Sequence, residues 1–180
     1  NTATFNDIKI EGITCDSRSV NKGFLFAAIP GAQDDGRLFI PEALERGAAA
    51  ILAPPGTLPE DSYPATPLLI HENPRRQYAL MAARFFPDQP EKIACVTGTN
   101  GKTSVVSFLR QIWAAAGYSA ASLGTLGVEL VGQSTDSVAV SNKTINLTTP
   151  DPIDLHRSLA KMTDLRFNYL GLEASSHGLA

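Results

Sequence analysis

Residues 92 to 104 constrain the fold of this chain more than any others. Lys92 to Thr97 is a short apolar run with β-branched Ile93 and Val96, and it leads into Gly98-Thr99-Asn100-Gly101. A helix-period pattern follows. Apolar Val105, Phe108, Leu109, Ile112 and Ala116 fall at i, i+3, i+4, i+7 and i+11, one stripe of a 3.6-residue repeat, and Gly117 closes it. The stripe is expected to pack on a sheet, with Phe108 and Trp113 in the core. A strand, a glycine turn and a helix in succession put the turn at the carboxyl end of a strand, where open α/β sheets keep their ligands.

The letters of the turn narrow that ligand. Glycines let backbone N–H groups turn inward on a phosphate, the helix N-terminus adds unpaired donors and a partial positive charge, and Lys102 supplies a full one. Thr103 would place its hydroxyl on Mg²⁺. The common phosphate-loop spacing has a glycine five positions before the second one; here Val96 holds that position and the first glycine is Gly98, so the loop is a short variant. Gly98, Thr99, Asn100, Gly101, Lys102, Thr103 and Ser104 are the candidate nucleotide-binding residues. Such a loop fits kinases, hydrolases, ligases and motors alike, so the reaction stays open. A second metal ligand is the next requirement. Glu173 ends the last apolar run, Tyr169 to Ala174, and polar Ser175, Ser176, His177 and Gly178 follow it. In a parallel sheet that strand end opens on the same crevice as the phosphate loop, so Glu173 is read as the acidic Mg²⁺ partner. His177 is read either as a ligand contact or as a residue that holds the loop.

Elsewhere strands alternate with helices. Residues 24 to 29 read as a strand ending at Pro30-Gly31. Residues 41 to 47 read as a short helix, with Pro41 in its first turn and Gly47 at its end. Ala49 to Ala53 is a second strand, and Pro54, Pro55, Pro59, Pro64 and Pro67 make the next stretch mostly loop before a strand at Leu68 to Ile70. Asn73-Pro74 opens a helix to about Phe86. The polar segment Pro87-Asp88-Gln89-Pro90 then reads as a linker between domains at 1–87 and 91–180. Beyond the phosphate loop, Ala120 to Leu126 and Val128 to Val131 read as strands, and Asp151-Pro152 caps a helix to about Met162. The class is α/β: a small first domain, then part of a doubly wound parallel-sheet domain.

Composition limits the partners. Among 180 residues 43% are hydrophobic and 18% charged, which excludes disorder, and a net charge of −3 with no block of like charges argues against nucleic acid. Any bound anion must be held locally. No run approaches the roughly 20 apolar residues of a membrane span and no signal-peptide pattern opens the chain, so a cytoplasmic location is expected. Cys15 and Cys95 lack metal or redox spacing and are expected to be reduced and structural.

Taken together the motifs resemble the Mur ligases of bacterial cell-wall synthesis. Thr97-Gly98-Thr99-Asn100-Gly101-Lys102-Thr103 is similar to the loop of that ATP-dependent amide ligase group. Asp16-Ser17-Arg18, Gly23-Phe24-Leu25-Phe26, Asp35-Gly36-Arg37 with Phe39-Ile40, and Gly47-Ala48 resemble the N-terminal domain of the members that add the third amino acid and the final dipeptide. Leu147-Thr148-Thr149-Pro150 and Leu172-Glu173-Ala174-Ser175-Ser176-His177-Gly178 favour the first of these.

The resemblance implies a reaction and its cofactors, ATP and Mg²⁺. ATP phosphorylates the D-glutamyl carboxylate of UDP-MurNAc-L-Ala-D-Glu, and the amine of a diamino acid displaces phosphate from the resulting acyl phosphate. Residues 1–87 would bind the UDP-MurNAc end and 91–180 would be the first part of the ATP-binding domain, the carbamylated lysine and C-terminal domain of the family not being among them. Gly98 to Ser104 would bind ATP, and Thr103 and Glu173 would serve the metal, with Lys102, Glu173 and His177 catalytic. Thr148, Thr149 and Ser175 would contact the muramoyl dipeptide, and Ser17 with Ala32, Gln33 and Asp34 the uridine diphosphate. Diaminopimelate is the expected amine and a monomer the expected state. Two alternatives stay open: nucleotide or UDP-sugar binding without catalysis, and the related dipeptide-adding ligase. A phosphotransferase of kinase type lacks support from the serine-histidine motif.

Overall fold

The computed structural model describes residues 8–31, 34–57, 66–131 and 151–175. The chain divides into two compact units, Asn1–Arg84 and Phe85–Ala180.

The first unit is an all-parallel four-stranded sheet in sequence order: β1 (Gly12–Thr14), β2 (Phe24–Ala27), β3 (Ala50–Ala53) and β4 (Leu68–Ile70). Helices α1 (Ile40–Glu45) and α2 (Pro74–Phe85) complete it. Phe26, Ile40, Ala43 and Ile51 form its core together with Val20 and Leu68. Each large side chain buried there stabilises the fold by roughly 1.5–3 kcal/mol. β1 is an addition to the sequence reading, being too short for its alternation to register. The expected caps are present, since Asn73 Oδ1 accepts from the Arg76 N–H at 2.9 Å and Pro41 lies in the first turn of α1.

Two short 3₁₀ turns, Ser17–Ser19 and Gly36–Phe39, share one local design. In each an aspartate caps the turn and pairs with the arginine two residues on: Asp16 accepts from Arg18, and Asp35 from Arg37. Such side-chain acceptors replace the backbone partner that a turn's first N–H groups lack. The Arg37 guanidinium accordingly holds the Asp35 carboxyl below its ordinary value.

The second unit holds β5 (Lys92–Val96), α3 (Lys102–Ala115), β6 (Ala120–Gly124), β7 (Gly127–Leu130), α4 (Pro152–Asp164) and β8 (Tyr169–Glu173), in strand order β5-β8-β6-β7. β8 pairs in parallel with β5 on one side and β6 on the other. β7 departs from the parallel expectation and runs antiparallel to β6, because only Thr125 and Leu126 separate the two strands and a two-residue turn can return the chain only as a hairpin. Gly127, at φ +83°, supplies the left-handed position at its far side.

Period-two alternation along β8 sends its two sets of side chains to opposite layers. Leu170 packs with Leu123, Ala121, and Leu159 and Met162 of α4. Tyr169 and Gly171 face α3, where the Trp113 and Tyr169 rings lie 5.5 Å apart and Gly171 meets Val106.

That contact corrects the expected face of α3. Val106 is its only fully buried residue among those described, while Val105, Phe108 (62% exposed) and Ile112 (63% exposed) face outward. Phe108 is therefore not core, and Trp113 is half-buried. The reason lies in the sheet. Among the described strands β5 is at the sheet edge, with Ile93 and Cys95 exposed, so no strand beyond it covers the outer flank of α3. Cys15 and Cys95 are both exposed, so neither packs a core as a structural cysteine would.

Candidate functional site

The phosphate loop sits where β5 hands over to α3. Gly98 (φ +146°) and Gly101 (φ +80°) both occupy backbone conformations that side-chain-bearing residues rarely adopt, so these glycines shape the turn. Gly101 is the N-cap of α3 and has no side chain with which to satisfy the first-turn N–H groups. Those groups, on a 14-residue helix, concentrate the positive end of its dipole at residues 102 to 104. Lys102 folds back over the loop, its Nζ donating to the Gly98 carbonyl at 2.7 Å and to Thr99 at 3.5 Å. The ammonium is thus already held above the loop, on weak neutral acceptors that a phosphate oxygen outcompetes.

Glu173 comes to the same place from β8. It is paired in register with Val96, the last residue of β5, and the Ala174 N–H donates to the Val96 carbonyl at 2.9 Å. Following Tyr169 and Gly171 along the face that packs on α3, it lies toward the helix N-terminus, since Tyr169 meets Trp113 and Gly171 meets Val106. Although it ends a strand, Glu173 is only 1% exposed. Among the described residues it forms no ion pair, and its carboxylate accepts one side-chain hydrogen bond, from Thr125 Oγ1 at 3.0 Å. A buried carboxylate without a cationic partner is costly unless a metal ion neutralises it. The residues therefore fit a divalent cation. Among the described residues no cluster of three or more His, Cys, Asp or Glu side chains could cage one, and Mg²⁺ commonly takes only one or two carboxylates beside phosphate and water.

In the first unit Ser17 is 6% exposed, and its hydroxyl donates to Glu42 Oε2 at 2.6 Å. That bond, followed by the Arg46 guanidinium, holds the Glu42 carboxyl below its ordinary value. The Asp34 carbonyl accepts from the Gly31 N–H at 2.9 Å and closes the turn after β2. Ser175 lies just past β8, in the described chain. Ala32, Gln33, Thr148, Thr149 and His177 lie outside the described residues. Sequence reasoning missed Glu42 and Thr125. The partner of Ser17 lies 25 residues away and that of Thr125 lies 48 residues away, so only the fold brings either pair together.

Two family descriptions match the chain. The model described as "Mur ligase family, catalytic domain" matches residues 9–86, and "Mur ligase middle domain" matches 96–180. The UDP-N-acetylmuramoyl-L-alanyl-D-glutamate--2,6-diaminopimelate ligase of Brucella melitensis is 47% identical over 173 residues, covering 96% of this chain and 33% of that protein. Its Caulobacter vibrioides counterpart is 47% identical over 175 residues, covering 96% and 35%. A solved structure of a ligase of that name superposes with TM-score 0.71 at 26% identity, over 94% of this chain and 33% of that one. The MurF ligase of Thermotoga maritima, in complex with ADP, shares the fold at TM-score 0.56 and 22% identity, over 94% and 33%. The chain thus spans about a third of the length of these relatives. With both matched models drawn from one family and together running from residue 9 to residue 180, the chain belongs to the Mur ligases.

Proposed function

We propose that these residues form the nucleotide-binding and UDP-sugar-binding part of a cytoplasmic ATP-dependent amide ligase of peptidoglycan precursor synthesis. The enzyme joins 2,6-diaminopimelate to the D-glutamyl carboxylate of UDP-MurNAc-L-Ala-D-Glu. One observation carries the reading: a buried Glu173, without an ion pair among the described residues, beside the last residue of β5, where a glycine-shaped loop presents Lys102 and the N-terminus of α3. The relatives named for this reaction, 47% identical, supply the substrate.

In this reading the N–H groups from Gly98 to Ser104 bind the phosphates of ATP, and Lys102 leaves the Gly98 carbonyl for the γ-phosphoryl oxygens. Thr103 and Glu173 would hold Mg²⁺, which supplies charge neutralisation as the phosphoryl group moves to the substrate carboxylate. Ser175 would touch the muramoyl dipeptide, together with Thr148 and Thr149. Ser17 and Asp34, with Ala32 and Gln33, would hold the uridine diphosphate, while His177 would serve the reacting groups. The chain's own catalytic work is positioning and electrostatics, because the carboxylate is activated by phosphorylation and needs no protein nucleophile.

In a chain of the relatives' full length, given ATP, Mg²⁺, UDP-MurNAc-L-Ala-D-Glu and diaminopimelate, one phosphate is released per amide formed. Lys102→Ala abolishes this, by roughly 100-fold or more, with the fold retained. Phosphate release equally fast without the dipeptide would leave a plain nucleotide hydrolase.

A further inference from the structure

Glu173 carries a flexible side chain with three rotatable bonds, yet two features of the β6–β7 hairpin hold it in one place. The first is space. A Cβ added at Gly124 would fall on the Cγ and carboxyl group of Glu173, so the side chain lies directly over the one residue of β6 that has none. The second is a donor. Thr125, the residue after β6, gives its hydroxyl to Glu173 Oε2 at 3.0 Å, across the sheet and 48 residues away in sequence. We propose that Thr125 is a positioning residue that fixes the Glu173 carboxylate for a nucleotide-bound divalent cation, with Gly124 clearing the space for it; this rests on the reading of Glu173 as the acidic partner of that cation.

The chemistry of the donor supports the assignment. A lysine or arginine here would neutralise the carboxylate and compete with a cation, whereas a neutral hydroxyl orients it and leaves its charge in place. Threonine's branched Cβ also restricts χ1, so the hydroxyl is held with less rotational freedom than serine's. Groups that hydrogen-bond to a metal-binding carboxylate set its orientation, and their loss typically weakens metal affinity or activity roughly 10- to 100-fold.

The test is calorimetric titration of the chain at its relatives' full length with ADP, with Mg²⁺ and in EDTA, reading the ratio of the two affinities. The variants are Thr125→Val, Thr125→Ser, Gly124→Ala and Glu173→Gln, with folding checked by thermal unfolding. Thr125→Val, which keeps the shape and removes the donor, is expected to reduce the Mg²⁺-dependent gain roughly tenfold or more, and Thr125→Ser to restore most of it. Gly124→Ala, which crowds the carboxylate and keeps the Thr125 hydroxyl, is expected to reduce the gain as well and carries the test alone if Thr125→Val does not fold. A merely structural hydroxyl would weaken both affinities together and leave the ratio unchanged. If Glu173→Gln loses the gain while Thr125→Val and Gly124→Ala keep it, the positioning role is refuted and the reading of Glu173 stands. If Glu173→Gln keeps the gain, that reading fails and the proposal with it. Equal losses in Thr125→Val and Thr125→Ser would show that the hydroxyl is not the operative group.

Discussion

Gly171→Ala tests the packing that seats the phosphate-loop helix. Gly171 is the middle residue of β8, and a Cβ there would lie 3.1 Å from Val106 Cβ, 3.2 Å from its carbonyl oxygen and 3.3 Å from its Cα. Carbon atoms settle at about 3.5–4.0 Å, so α3 would have to lift from the sheet by several tenths of an ångström. Two of the three obstructing atoms are backbone, so no side-chain rotation relieves the clash. Overpacking of this kind costs about 1–3 kcal/mol. Replacing glycine in an extended strand returns about 0.4–1 kcal/mol by narrowing the unfolded ensemble. The net expectation is a loss of about 0.5–2 kcal/mol. Trp113, the only tryptophan, lies on α3 against Tyr169 of the same strand, so its fluorescence during urea unfolding reports on this contact. Val106 stands one helical turn beyond Lys102 and Thr103, so the displacement also reaches the loop, and ADP affinity should fall in parallel. A Gly171→Ala chain as stable as wild type would refute the claim that α3 seats on β8 through this contact.

Two further outcomes concern pH. The Ser17 hydroxyl, and secondarily Arg46, lowers the Glu42 carboxyl from its ordinary 4.5, so the stabilisation is present above that value and is lost as pH falls through the lowered one. Ser17→Ala should therefore be less stable at neutral pH, with the gap closing under acid; a constant gap across a series of urea titrations would contradict the linkage. Burial lowers the His156 imidazole from its ordinary 6.5, so the unfolded chain takes up the proton first and stability declines as pH drops below that value. His156→Gln should flatten this part of the profile, and an unchanged slope between pH 7 and 5 would exclude His156 as its source.

The sequence made some layers legible and hid others for physical reasons. The phosphate loop could be read because its chemistry is contiguous: glycine conformations, lysine and helix start fall within seven residues. The caps at Asn73 and Asp151 could be read for the same reason, and Ile153 N–H does donate to Asp151 at 2.9 Å. The helical period of α3 was correct but its phase was misleading. Periodicity shows that one stripe is apolar, whereas which face meets the sheet depends on Gly171, the only residue at mid-β8 small enough to admit Val106. Trp113, expected in the core, sits half-buried at the end of that contact, with Tyr169 stacked also on Tyr118. Thr125 was invisible because nothing in Gly-Thr-Leu-Gly announces a carboxylate donated from another strand.

The pairing of β5 has a consequence for the order in which the molecule can be made. In the first unit each strand's neighbour is the next one along the chain, so its sheet grows as the residues appear. β5 has one neighbour among the described strands, β8, about 75 residues later, and closing so long a loop must precede the contacts that reward it. During synthesis at roughly 5–20 residues per second, the phosphate loop therefore spends several seconds on a strand that has no partner among the described strands already made. The strand that carries the loop gains its β8 neighbour only after residue 173 has been added, by which time the described strands of the first unit have all been made. The last strand thus delivers Glu173 and, in the same event, the sheet position of the loop that Glu173 faces.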